Sequence, residues 1–106
     1  MTELSRRIRA YLTTTFHFSN GQIDQMLPVF LDTLHDHLVA LERVIAENSG
    51  QIATTAHTLK GALLNLGLDT EAATALELEE LGNAGGSDTA SLTLLVNDLR
   101  EKLTRP

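Results

Sequence analysis

The sequence predicts an all-α domain, an antiparallel up-down-up-down four-helix bundle with an additional short N-terminal helix. Three observations lead there. Apolar residues recur at three-to-four spacing through most of the chain, the signature of one buried helix face. The core-forming side chains are Leu, Ile, Val and Ala, with only four aromatics (Tyr11, Phe16, Phe18 and Phe30) and no Trp, a composition suited to packed helices. No stretch of useful length alternates apolar and polar residues as a half-buried strand would.

Taken in order, Leu4, Ile8, Tyr11, Leu12 and Phe16 mark an N-terminal helix over about 3–16, with Thr2 as N-cap. Ser19-Asn20-Gly21 reads as a turn or cap. The longest helix follows over about 20–47, striped by Ile23, Leu27, Phe30, Leu34, Leu38, Leu41 and Ile45. Pro28 implies either a kink in this helix or a start near Pro28, because proline removes a backbone donor and crowds the preceding turn. Asn48-Ser49-Gly50 closes the segment.

A third helix is expected over about 51–66, with Gly67 as its C-terminal cap. Asp69 is the expected N-cap of a fourth over about 70–82, with Glu71 near the positive end of its dipole and Gly82-Asn83-Ala84-Gly85-Gly86 as its stop. Ser87 or Asp88 opens a fifth over about 88–104, striped by Leu92, Leu95, Leu99 and Leu103, with Arg100, Lys102 and Arg105 complementing its C-terminal end. Short connections make neighbouring helices antiparallel, and the N-terminal helix then lies over one end of the bundle.

Composition sets limits on function. The 106 residues suit a single domain, 1–106. Fourteen Asp and Glu against eight Lys and Arg leave a formal charge of -6, which argues against nucleic acid and acidic membrane surfaces, both of which are bound through clustered cations. The absence of Cys excludes disulfides, thiolate metal sites and cysteine nucleophiles, and is compatible with a reducing, cytoplasmic location. No apolar run approaches the ~18 residues of a membrane span, and the polar Thr13-Thr14-Thr15 after Arg6, Arg7 and Arg9 is unlike a signal-peptide core. The three arginines read as a solvated face. His17 sits at a turn. His35 and His37 are two apart and point to different sides of their helix, so no shared metal ion is expected.

The third helix is the informative one. At about 100° per residue, Ile52, Ala56, Leu59, Leu63 and Leu66 form its core stripe. His57 falls on the opposite side, surrounded by Ala53, Lys60, Gly61 and Leu64, with Leu68 just beyond the helix end. An outward helix face normally carries charges, so this one is either buried as well or a docking patch. Glycine inside a helix costs about 1 kcal/mol relative to alanine, and Gly61, one turn after His57, leaves the imidazole uncovered. Lys60 places an ammonium beside the same ring, favouring an anion and disfavouring a protonated imidazole. An accessible neutral imidazole beside a cation is what a nucleophile accepting a phosphoryl group requires.

Ala56-His57-Thr58-Leu59-Lys60-Gly61, followed by Asn65-Leu66-Gly67 and then Leu78-Glu79, resembles the signature of histidine-containing phosphotransfer (HPt) domains of bacterial multistep phosphorelays. The likeness covers roughly Leu27 to Gly82. It implies a four-helix bundle whose exposed histidine, here His57, takes a phosphoryl group from the aspartate of one receiver domain and passes it to another. It also implies that Lys60 neutralises the phosphoryl group, that Gly61 provides clearance and that Glu79 orients the imidazole through its non-reacting nitrogen, leaving Nε2 to attack. Ala53, Gly61, Leu64 and Leu68 are the expected receiver docking patch. Ala62 stands where the family usually carries a small or hydroxyl residue, and Leu63 and Leu64 replace smaller residues often found there.

The expected partners are response-regulator receiver domains and a hybrid sensor histidine kinase, with Mg²⁺ carried by the receiver and no intrinsic cofactor or metal. The chain shows no Gly-rich phosphate loop or kinase motif, so a phosphocarrier without its own kinase active site is expected, as a monomer. Two alternatives stand beside it: the phosphoryl-accepting domain of a chemotaxis-type histidine kinase, and a non-phosphorylated helical adaptor. The compact length and Met1 weigh toward a separate module over the first of these.

Overall fold

A computed structural model describes residues 3–85 and 89–104 of the chain. Those residues form five helices and no strand: α1 (Glu3–Phe16), α2 (Asn20–Ala46), α3 (Ile52–Leu64), α4 (Asp69–Asn83) and α5 (Thr89–Thr104). The expected caps Thr2, Ser87 and Asp88, with Gly86 and Arg105, lie outside the described residues. Helix α2 packs on α3 and α5, and α4 packs on the same two, so α2 to α5 enclose one core. That ring of partners is that of a helical bundle.

Helix α2 is continuous through Pro28. An interior proline costs about 3 kcal/mol, but ending the helix there would forfeit the burial of Ile23 and Leu27, each worth roughly 1.5–3 kcal/mol. A capping box adds to this. Gln22 N–H donates to Ser19 Oγ at 3.2 Å, and Ser19 N–H donates to Gln22 Oε1 at 2.8 Å. At the other end Asn48 takes a positive φ of 51° and closes the helix.

Helix α1 lies over the end of the bundle where α3 turns into α4. Leu4, Ile8 and Leu12 are buried in the common core. Phe16, read as part of that stripe, is instead half exposed, stacked on Phe18 and edge-on to Tyr11. The three arginines are not a plain solvated face: Arg6 pairs with Glu3, Arg9 with Asp24 at 2.6 Å, and Arg7 with Glu71 through two bonds of 2.7 and 2.9 Å. Glu71 does sit in the first turn of α4, but buried. The Arg7 guanidinium holds its carboxyl below the ordinary range against the opposing effect of burial. Arg100 of α5 makes a similar forked pair with Glu42 of α2.

The turn between α3 and α4 corrects two expectations. Leu68 N–H donates to the Leu63 carbonyl at 3.0 Å and Gly67 N–H to the Leu64 carbonyl at 3.1 Å, with Gly67 at φ +74°. This is the Schellman closure, which folds the residue after the glycine back onto the helix it ends. Leu68 is therefore fully buried and absent from any docking surface. Asp69 is not the cap of α4; Leu68 occupies that position, without a side-chain bond, and Asp69 begins the helix. The glycine is also required by packing, since a Cβ on Gly67 would lie 2.3 Å from the Tyr11 ring. The stop expected from Gly82 onward holds: α4 ends at Asn83, Ala84 is its C-cap and Gly85 takes the positive φ.

Candidate functional site

The core stripe of α3 is buried as its periodicity requires, with Ile52, Ala56, Leu59, Leu63 and Leu66 all inside. Burying that face fixes the rotation of the helix and turns His57 outward, its side chain 65% exposed. Packing of α4 against α3 then brings Glu79 to it, 22 residues on in the chain. Glu79 Oε2 lies 3.0 Å from His57 Nδ1, while Lys60 Nζ donates to Oε1 of the same carboxylate at 2.8 Å. One carboxylate thus joins the imidazole to the ammonium.

The Lys60 ammonium first, and His57 second, hold the Glu79 carboxyl below the ordinary carboxylate range. An ionised carboxylate only accepts hydrogen bonds, so its contact with Nδ1 requires the proton to be on Nδ1. In the neutral ring the lone pair then resides on Nε2. This modifies the electrostatics read from α3 alone. His57 has Lys60 on its own helix, but the group bonded to its ring is an anion from α4, and the surroundings of His57 are not uncharged.

Gly61 is open: a Cβ built there meets nothing within 4 Å. No neighbour inside the fold demands a glycine, so the space it leaves faces outward. Leu64, the last residue of α3, is 45% exposed. Ala53 is half-buried and divided between two tasks. It lines a groove of about 260 Å³ with Thr54, His57, Glu79 and Asn83, and its backbone is where α3 meets α4. Thr54 and Asn83 were not singled out in the sequence, although Thr54 precedes His57 by three residues and Asn83 follows Glu79 by four, spacings that place them on the same faces. A second groove, of about 220 Å³, runs between α2 and α3 beside Ala62 and Asn65, with Phe30 and Thr33 opposite.

His35 is exposed and His37 half-buried, and His17 is exposed with a positive φ of 57° at the end of α1. Among the described residues no three His, Asp or Glu side chains gather as metal ligands would. None of their helices is long and apolar enough to cross a membrane.

A search of curated proteins and of solved structures returned no significant match. The model of the Hpt domain family matches residues 25–105, which takes in α2 beyond its first five residues and all of α3, α4 and α5, together with His57, Lys60, Gly61 and Glu79. With its helical bundle and the outward histidine that α3 presents, the chain belongs to the Hpt domain family, whose members are phosphotransfer modules of two-component signalling.

Proposed function

We propose that the protein relays a phosphoryl group between the aspartates of receiver domains, with His57 as the carrier. The observation that supports this best is the carboxylate of Glu79 on Nδ1 of an exposed His57 ring, which leaves Nε2 as the nucleophile. In the forward step the Nε2 lone pair attacks the phosphorus of a receiver's aspartyl phosphate. The N–P bond forms as the P–O bond to the aspartyl carboxylate breaks, and that carboxylate is the leaving group. The ring becomes a phosphoimidazolium whose remaining N–H stays paired with Glu79, so no proton has to be lost to solvent. The reverse step returns the phosphoryl group to a second receiver.

Lys60 offsets charge on the phosphoryl oxygens by moving its ammonium from Glu79 toward them. Gly61 admits the receiver backbone, and Leu64 with the adjoining part of Ala53 forms the contact surface. Mg²⁺ comes with the receiver, which holds the acyl phosphate, and this chain acts as phosphocarrier without a kinase site. The reading places the protein in the cytoplasm with its receivers and a hybrid sensor kinase, as a monomer.

The test is incubation with a receiver domain charged with phosphate. The protein should acquire acid-labile, alkali-stable label that a second receiver then removes, and His57→Gln should acquire none. Label retained by His57→Gln would contradict the proposal. Labelling by a separate kinase domain with ATP, with no transfer from any receiver, would assign the chain instead to the accepting end of a chemotaxis-type kinase.

A further inference from the structure

We infer that Gly82 is a positioning residue for the histidine: its missing side chain sets the approach of α4 to α3 that lets one Glu79 carboxylate reach both His57 and Lys60. The inference rests on the reading of His57 as phosphoryl carrier.

Gly82 lies inside the last turn of α4, where a glycine costs about 1 kcal/mol relative to alanine. Unlike Gly67 and Gly85 it has no positive φ to account for it. Its neighbour across the interface does. A Cβ on Gly82 would lie 2.8 Å from the Ala53 nitrogen, 3.1 Å from its Cα and 3.2 Å from its Cβ. Two of those atoms are backbone, so no rotamer change relieves the contact. The helices would have to part by on the order of half an ångström to restore ordinary van der Waals separation.

The placement of this contact gives it a chemical consequence. Ala53 is one turn before His57 and Gly82 one turn after Glu79, so this close approach of the two helices lies beside the hydrogen-bonded pair. The pair has little slack, since 3.0 Å is near the middle of the hydrogen-bond range and the interaction weakens steeply beyond it. Rotation of Glu79 cannot absorb the separation without loss. The carboxylate serves two donors on α3 at once, His57 Nδ1 and Lys60 Nζ, and a turn that follows one abandons the other. The same α3 face thus carries two glycine-dependent features. Gly61 keeps space open to the outside, and Gly82 removes space on the inside.

The experiment is ¹⁵N NMR of the His57 ring in the full chain, at a pH where the imidazole is neutral, alongside the rate of phosphoryl acceptance from a charged receiver. In the wild type the proton should reside on Nδ1. In Gly82→Ala the ring should become a mixture containing the Nε2–H form that a free neutral histidine side chain favours, and acceptance should slow roughly ten- to a hundredfold. Val96→Ala, which weakens the core on α5, should lower the melting temperature with the tautomer and rate unchanged. On a Glu79→Ala background Gly82→Ala should add nothing. If Gly82→Ala does not fold, Ala53→Val, which crowds the contact from α3, should give the same spectrum. An unchanged tautomer in folded Gly82→Ala, or an undiminished effect on the Glu79→Ala background, would overturn the inference. A wild type that accepts no phosphate would instead overturn the proposed function, and the tautomer would still report on Gly82.

Discussion

Glu79 meets Nδ1 of His57 at 3.0 Å with the carboxylate whose other oxygen receives Lys60 at 2.8 Å. The proposed nucleophile and the cation proposed to meet its phosphoryl group are therefore joined to one acid on the neighbouring helix. Replacing that acid by Ala should release both, and phosphoryl acceptance should fall at least roughly tenfold. Glu79→Gln keeps one acceptor oxygen for two donors and should fall between the variant and the wild type. Single-turnover transfer from a charged receiver measures this; a wild-type rate in Glu79→Ala would remove Glu79 from the mechanism.

Gly61 should separate stability from function. With nothing within 4 Å of its missing Cβ, Gly61→Ala gains helix propensity at no steric cost and should stabilise the fold by about 0.5–1 kcal/mol, a rise of a few degrees in Tm. In the proposed relay the same methyl enters the space a receiver would take, so transfer should slow. Thermal unfolding beside transfer kinetics checks both, and a more stable variant with unaltered kinetics would mean that the clearance serves no partner.

Leu64 and Leu68 should behave oppositely. Leu68 is fully buried, and Leu68→Ala should cost about 2–5 kcal/mol, with transfer per folded molecule retained. Leu64 is 45% exposed, so Leu64→Ala should change stability by no more than about 0.5 kcal/mol while weakening receiver binding by roughly 1 kcal/mol. Denaturant titration and receiver binding by calorimetry distinguish the two.

Acid should unfold the protein through its paired carboxylates. Glu71, Glu42 and Glu79 all have folded-state pKa values held below the ordinary 4.5, through hydrogen bonds to Arg7, Arg100 and Lys60 respectively. A depressed folded value contributes stability that is present above the unfolded value and disappears as the pH falls through the folded one. Unfolding free energy should thus be flat from neutrality down to about pH 5 and decline below about pH 4.5. Glu71→Gln should cost about 1–2 kcal/mol at neutral pH, discounted because Arg7 is partly exposed, and should make the acid decline shallower.

Much of this was legible in the chain because helix periodicity reports burial directly. The α3 stripe, the outward turn of His57 and the closures at Asn48 and Gly67 follow from local spacing and turn chemistry. What local reasoning missed depends on contacts between helices. Leu68, just beyond the helix end, looks exposed until the Gly67 turn is seen to fold it back onto α3. Arg7 looks solvated until α4 brings Glu71 to it, and Gly82 looks like no more than the start of a stop until Ala53 is seen against it. The pairing of Glu79 with His57 was accessible only through family resemblance, since nothing in the spacing of residues 57 and 79 specifies how two helices pack.

The central claim is that Glu79 occupies Nδ1 so that Nε2 carries the phosphoryl group. Heteronuclear NMR of the phosphorylated protein, correlating ³¹P with the ring of ¹⁵N-labelled His57, tests it most directly. Phosphorus coupled to Nε2 with the proton on Nδ1 is the predicted result, and phosphorus on Nδ1, or on any residue other than His57, would contradict it.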